Sequence, residues 1–288
     1  LQSVVPLRLA ILAPGLLGGS IALAARARGA ADRIVLWARR PEARLALREQ
    51  PWCDEVADTA EEAVRGAQMV VIAAPVDSII PLVRLVSAQV DPGTVVTDVG
   101  SVKSEIARLG HQILQGKAHF VGSHPMAGSE KTGWKHASAG LFERRTCFVT
   151  PLPQTDATAL ESVVQFWREI GGEPVTLTPE THDEIVAHIS HLPQILATSL
   201  CGFLAQKNPG WRNYAGGGLR DTTRIASSDP GLWRTILEQN REEVLRALRE
   251  FEDELHGFQI ALANGDYPEV ITRLERGKVY RDQFRPSP

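Results

Sequence analysis

The chain has 288 residues, 43% of them hydrophobic and 23% charged, with a net charge of -3. That length holds two ordinary domains with sizeable cores, and the near-balanced charge excludes an electrostatic footprint for nucleic acid or an anionic membrane. The cysteines, Cys53, Cys147 and Cys201, form no CxxC pair, which excludes a disulfide framework or zinc ribbon and points to a reducing, cytoplasmic setting.

In chain order, residues 8–13 read as a buried strand. A turn follows, Ala13-Pro14-Gly15-Leu16-Leu17-Gly18-Gly19-Ser20, and it opens a helix over 16–28. Pro14-Gly15 and Gly18-Gly19 interrupt the apolar run of 7–25, so strand, turn and helix are expected there rather than a secretion signal or membrane span. Such a turn is a dinucleotide-binding device. Its glycines allow a tight bend, close backbone approach to pyrophosphate and close helix–strand packing, while the helix N-terminus faces the phosphates. Gly15 and Gly18 hold the second and third glycine positions. Ala13 holds the first, where a methyl group is tolerable if φ stays negative.

The second strand, 34–37, runs into Ala38-Arg39-Arg40 and lacks the acid that normally binds the adenosine ribose. Two arginines there can pair with a 2′-phosphate and stack on adenine, which favours NADP over NAD. Helices over 41–50, 59–65, 76–90 and 101–114 then alternate with strands over 69–74, 94–98, 119–122 and 147–150. This alternation predicts an α/β, doubly wound Rossmann-type parallel sheet. Met69-Val70-Val71-Ile72-Ala73-Ala74 is apolar at every position, as strands covered on both faces are. Ser101 and His124 each follow the carboxyl end of such a strand, where sheets of this class bind ligands. Taken alone, Ser101 also reads as a helix N-cap and His124 as a loop cap.

Near residue 178 the pattern becomes helical, which divides the chain into a dinucleotide-binding domain, 1–177, and a helical domain, 178–288. One helix over 182–206, bent at Pro193, a glycine-rich loop over 209–218 and one long helix over 230–264 are expected. Leu237, Val244, Leu248, Phe251, Leu255, Phe258 and Leu262 stripe the long helix. They pack within the chain or form a dimer interface, and the second is favoured because a small helical domain has little core of its own. His188, His191 and Gln194 share one helical face. No third ligand set completes a tetrahedral site there, so no metal is expected. Residues 285–288 read as a loose tail.

Six stretches, in this order, resemble the prephenate/arogenate dehydrogenase family of tyrosine biosynthesis. They are Gly15-Leu16-Leu17-Gly18-Gly19-Ser20, Asp98-Val99-Gly100-Ser101-Val102-Lys103, Gly122-Ser123-His124-Pro125-Met126-Ala127-Gly128, Ser190-His191-Leu192-Pro193, Gly216-Gly217-Gly218-Leu219-Arg220-Asp221-Thr222-Thr223-Arg224-Ile225-Ala226 and Ser228-Asp229-Pro230-Gly231-Leu232-Trp233. The resemblance covers nearly the whole chain. It implies oxidative decarboxylation of prephenate to 4-hydroxyphenylpyruvate, or of arogenate to tyrosine, with hydride transfer to NADP or NAD.

By the same resemblance His124 is the general base, and an imidazole with a pKa near 6.5 suits that task. Ser101 shares its hydrogen bond beside the nicotinamide. Arg224 binds substrate carboxylate, bidentately if the geometry allows. Arg220 stands at a second basic position, with Asp221 fixing one of the two arginines. His191 lines the substrate site, and Trp233 helps enclose the substrate, from the same or the partner subunit. Gln194 stands where many members have histidine, and a neutral amide leaves open the choice between a keto-acid and an amino-acid side chain. The cofactor is expected against Gly15, Leu16, Leu17, Gly18, Ala38, Arg39, Arg40, Ala74, Pro75 and Ser101. A homodimer through the C-terminal helices is implied, and no appended chorismate mutase or ACT-like module is expected. Two other readings stay open: a β-hydroxyacid dehydrogenase or imino-acid reductase, and a non-catalytic nucleotide sensor.

Overall fold

Strand β1 (Arg8–Leu12) is buried at every position after its first, which a central strand covered on both faces requires. The computed structural model describes residues 7–127 and 132–284, so Gly128 and the 285–288 tail lie outside the described residues. After β1 come α1 (Leu16–Arg28), β2 (Arg33–Trp37), α2 (Pro41–Arg48), β3 (Glu55–Val56), α3 (Ala60–Val64), β4 (Met69–Ile72), α4 (Val76–Val86), β5 (Val95–Asp98), α5 (Ser104–Leu114) and β6 (His119–Phe120). The strands form one sheet in the order β3-β2-β1-β4-β5-β6, parallel throughout. Strand order reverses between β1 and β4, and such a switch point opens a crevice at the carboxyl ends of the strands. Two apolar clusters, one around Ile11, Ile21 and Trp167 and one around Leu12, Ile79 and Phe120, form the cores.

The strand expected over 119–122 is two strands. Val121 donates its N–H to Val96 O at 2.9 Å, the last rung on the first sheet. The chain then enters β7 (Gly122–Pro125), which pairs antiparallel with β8 (Thr146–Thr150). A crossover helix, α6 (Ala157–Glu169), leads to β9 (Glu173–Thr176), which lies parallel to β8. Gly122 permits this departure, because a Cβ there would meet Thr150 Oγ1 at 2.6 Å. The run at 147–150 therefore belongs to a second, three-stranded sheet.

The helical part begins with α7 (Pro179–Val186), continues through a π turn (Ala187–His191) and runs on as α8 (Leu192–Ala205). The irregularity expected at Pro193 thus falls just before it, since proline gives no N–H to the carbonyl one turn back. The stretch expected as a loop at 209–218 holds a 3-10 turn (Pro209–Tyr214) and the start of α9 (Gly217–Thr223). A second 3-10 turn (Arg224–Ser227) follows.

The single helix expected over 230–264 is broken. α10 (Pro230–Gln239) ends at Asn240, α11 (Arg241–Ala263) starts afresh, and α12 (Tyr267–Asp282) follows. The stripe divides with it. Leu237, Val244, Leu248 and Phe251 pack within the chain against Ala187 and Leu192, whereas Leu255 and Leu262 stay exposed. No helix among the described residues is long and apolar enough to cross a membrane.

Candidate active site

The turn between β1 and α1 is built for an anion. Gly15 caps α1 without any side-chain hydrogen bond, the first turn carries no acid, and the opening N–H groups at Leu16 and Leu17 have no hydrogen-bond partner among the described residues. Nothing lies within 4 Å of where a Gly15 Cβ would sit, which leaves room for close approach. A Cβ on Gly18 would meet Ala73 Cβ at 2.8 Å and Ile11 Cγ2 at 3.2 Å, so this glycine sets helix–strand contact. Ala13 departs from the expected negative φ: it adopts φ +61. Its N–H bonds Trp37 O at 2.8 Å and its carbonyl accepts the Gly15 N–H at 2.7 Å. These bonds hold a left-handed bend that costs an alanine roughly 1–2 kcal/mol.

Ala38, Arg39, Arg40, Ala74 and Pro75 line the same cleft as Ala13 and Gly15, with Trp37, Ser78, Gly133 and Trp134. Arg39 and Arg40 are both exposed. Their loop is braced by a residue that sequence reasoning passed over: Arg44 Nη1 donates to Ala38 O at 2.9 Å and to Arg39 O at 3.1 Å. A dinucleotide fits these features. The bare helix N-terminus suits the pyrophosphate, the open face of Gly15 admits it, and the two guanidiniums stand where the ribose acid is missing.

The second centre lies where β7, α5 and α7 meet. β7 carries His124, which is half-buried, and its Nδ1 lies 2.9 Å from Nε2 of His182 on α7. His182 is fully buried, and its Nδ1 lies 2.8 Å from Asp183 Oδ1. Asp183 also accepts the backbone N–H groups of Lys103 and Ser104, each at 2.8 Å, and so caps α5 from outside the helix. That cap replaces the one open to Ser101. α5 starts at Ser104, and the half-buried Ser101 hydroxyl has no hydrogen-bond partner among the described residues. Lys103 Nζ pairs with Asp98, both fully buried, and Asp98 Oδ2 also accepts the Gly100 N–H at 2.8 Å.

Burial pushes His124 well below the ordinary histidine value, and the neighbouring His182, Lys103 and His191 push it the same way. Burial also lowers His182, against the opposing pull of Asp183. His191 is lowered to about 4, chiefly by burial. Asn240, at the break between α10 and α11, donates from Nδ2 to the Asp183 carbonyl at 2.8 Å and reaches His191 Nδ1 at 3.1 Å. A carbonyl only accepts, so that Asn240 atom is the amide nitrogen, and His191 Nδ1 accepts its second hydrogen. His191 is thereby set as a neutral Nε2–H donor, with Trp233 edge-on at 5.9 Å. Gln194, one turn on, is buried. Its Nε2 donates to Thr198 Oγ1 at 3.3 Å, and its Oε1 has no partner among the described residues.

The fold therefore gathers His124, His191 and Trp233 and adds His182, Asp183 and Asn240. The arginines stand apart from this cluster. Arg220 Nε donates to Ala215 O at 3.3 Å and lines another cleft, with Cys201, Leu204, Trp211 and Thr223. Arg224 is exposed on its 3-10 turn. Among the described residues Asp221 forms no ion pair with either arginine, contrary to the role expected of it; it points to solvent.

Two family models match the chain. The one described as prephenate dehydrogenase, nucleotide-binding domain, covers residues 21–184, and the one described as prephenate dehydrogenase, dimerization domain, covers 178–276. Prephenate dehydrogenase of Bacillus subtilis (strain 168) is 34% identical over 272 residues, which span 93% of this chain and 73% of that protein. Among solved structures, prephenate dehydrogenase from Aquifex aeolicus in complex with hydroxyphenyl propionate and NAD+ matches with a TM-score of 0.91 at 30% identity, over 98% of this chain and 99% of that one. Synechocystis arogenate dehydrogenase matches with a TM-score of 0.86 at 27% identity, over 97% and 100%.

Proposed function

The chain belongs to the prephenate dehydrogenase family, and on that footing we propose that it oxidatively decarboxylates a cyclohexadienyl acid, prephenate or arogenate, in tyrosine biosynthesis. The observation that carries the proposal is the His124 imidazole, half-buried at the carboxyl side of the parallel sheet and surrounded by groups that keep it neutral. A nicotinamide bound in the β1–α1 cleft supplies the hydride acceptor. His124 accepts the ring hydroxyl proton as hydride leaves the same carbon. The ring carboxylate departs as carbon dioxide, and aromatisation drives the step. Ser101 offers its hydroxyl to the same hydrogen bond. His191 donates from Nε2, and Trp233 covers the ring. Arg224 and Arg220, which stand apart from His124 in the single chain, would supply guanidiniums for substrate carboxylate. Gln194 faces the variable side chain.

Residues 1–177 form the dinucleotide-binding domain in this reading, and 178–288 the substrate and dimerisation domain. Arg39 and Arg40 favour NADP, since both are exposed in the cleft where a 2′-phosphate would lie. The testing experiment is a two-by-two assay of prephenate and arogenate, each with NAD and NADP. Turnover of either acid, with higher kcat/KM for NADP, is expected. Absence of turnover in all four combinations overturns the activity, and equal or better efficiency with NAD overturns the cofactor preference. Membership of the family displaces the hydroxyacid and sensor readings.

A further inference from the structure

An unbroken hydrogen-bond chain runs from the N-terminus of α5 to His124. The Asp183 carboxylate takes two backbone N–H groups from α5, at Lys103 and Ser104. Although burial pushes its carboxyl up, the bonds from His182 and Ser104 hold it below the usual carboxylate range. An ionised carboxylate only accepts, so His182 Nδ1, 2.8 Å from Oδ1, carries a proton. In the neutral ring His182 Nε2 is then a lone pair. His124 Nδ1, 2.9 Å away, must supply the hydrogen between them. The lone pair of His124 is left on Nε2, facing away from His182. One carboxylate thus fixes two tautomers in series.

We propose that His182, held by Asp183, is a positioning residue for the reaction: it keeps the His124 lone pair on Nε2 and takes up positive charge when His124 is protonated. This rests on the reading of His124 as the base. In the step, the substrate O–H bond breaks and an N–H bond forms at His124 Nε2. The hydride leaves the same carbon with its electron pair for the nicotinamide. The Nδ1 hydrogen of His124 shifts toward His182 Nε2, and the His182 Nδ1 hydrogen stays on His182, donated to ionised Asp183. The other groups facing His124 are Lys103 and Asp98 from the β5–α5 turn, Cys147 on β8 and His191 from the π turn. Lys103 and Asp98 are committed to each other. Burial raises the Cys147 thiol well above its usual value, and His191 donates rather than accepts. His182 is the neighbour with both a lone pair and a counter-charge behind it. Phe148, edge-on at 5.4 Å, closes its other side.

Nitrogen-15 NMR of the NADP-loaded enzyme, labelled at histidine nitrogens and assigned against His124→Asn, reads the tautomer directly. A protonated Nδ1 and bare Nε2 on His124 are expected, and the opposite tautomer overturns the proposal. His182→Leu should lose about tenfold or more in kcat, with KM and cofactor Kd within about twofold, and should release the His124 tautomer in the NMR spectrum. His182→Gln keeps an acceptor for the His124 Nδ1–H but takes no proton. It should restore the tautomer and part of kcat. Wild-type kcat in both variants overturns the proposal, as does an equal loss in both accompanied by loss of cofactor affinity. If the wild type turns over no cyclohexadienyl acid, the functional reading fails, while the tautomer measurement still decides this one.

Discussion

A base must be neutral before it can take a proton, and the surroundings of His124 keep it neutral. Burial disfavours the imidazolium first, and positive charge on His182, Lys103 or His191 pushes the same way. The same surroundings make a proton, once taken, hard to keep, which suits a group that must release it each turnover. His124→Asn retains a polar side chain but removes the base. Turnover should fall by about 10²–10⁴-fold while dinucleotide affinity, followed by fluorescence titration, stays near wild type; wild-type turnover would remove His124 from this proposed role. Arg224 differs in kind, because it is exposed in the single chain and has no partner among the described residues. Its proposed use is in binding. Arg224→Ala should raise KM by about 30-fold, roughly 2 kcal/mol for a lost charge-assisted bond, and should leave kcat within a few-fold. Unchanged KM in steady-state assays would separate Arg224 from the substrate.

At the scale of elements, the turn between β5 and α5 carries the heaviest electrostatic load. Lys103 and Asp98 are both without solvent exposure, so truncating one leaves the other charge buried and unpaired. Lys103→Ala should lower stability by about 3–5 kcal/mol, measured by urea unfolding, and a loss under about 1 kcal/mol would mean that water reaches Asp98. In the sequence this turn shows as Ser101 at a strand end and as the stretch Asp98-Val99-Gly100-Ser101-Val102-Lys103, neither of which marks Lys103 and Asp98 as a buried pair. The doubly covered strands β1, β2, β4 and β5 were legible because continuous apolar runs between helical patterns have few other folds open to them. β3 and β9 were not: β3 has two residues, and β9 exposes Glu173, Val175 and Thr176, so neither shows a run. The break at Asn240 was hidden because Leu237 and Val244 keep helical spacing across it. What breaks the helix is tertiary: the Asn240 side chain bonds the Asp183 carbonyl and His191 instead of facing solvent. His124 and Ser101 could be found from strand ends and motifs. His182 could not, since its role arises from contact with a residue 58 positions away in the chain.

For the whole molecule, one chain leaves apolar surface uncovered. α12 buries no residue, yet Ile271, Leu274, Val279 and Tyr280 are all more than half exposed on it, beside Leu255 and Leu262 of α11. The family model matched here is described as a dimerization domain, and we propose this face as a homodimer interface: Leu274→Glu should then shift the protein toward monomer in sedimentation velocity, and an unchanged assembly would place any interface elsewhere. Acid stability is a second property of the whole chain. An unfolded histidine titrates near 6.5, whereas His124, His182 and His191 are all depressed in the fold, His191 to about 4. As pH falls below 6.5, the unfolded chain binds protons that the folded chain refuses, so folding stability declines. The decline runs from about 6.5 down to the folded values and then levels for these groups. His191, 1% exposed, contributes roughly 3 kcal/mol of it. Asp54 and Asp183, held below the usual carboxylate range, extend the loss at still lower pH. His188 has the opposite sign: the Glu184 carbonyl and Glu250 raise it, so its contribution is present below 6.5 and lost as pH climbs through its folded value. Its side chain is 34% exposed and screened by solvent, and the buried three outweigh it. Urea midpoints should therefore drop steadily between pH 6.5 and 4.5, with His191→Leu flattening part of the slope. A midpoint constant across that window would mean that these imidazoles are charged in the fold, and with them the base at the centre of the site.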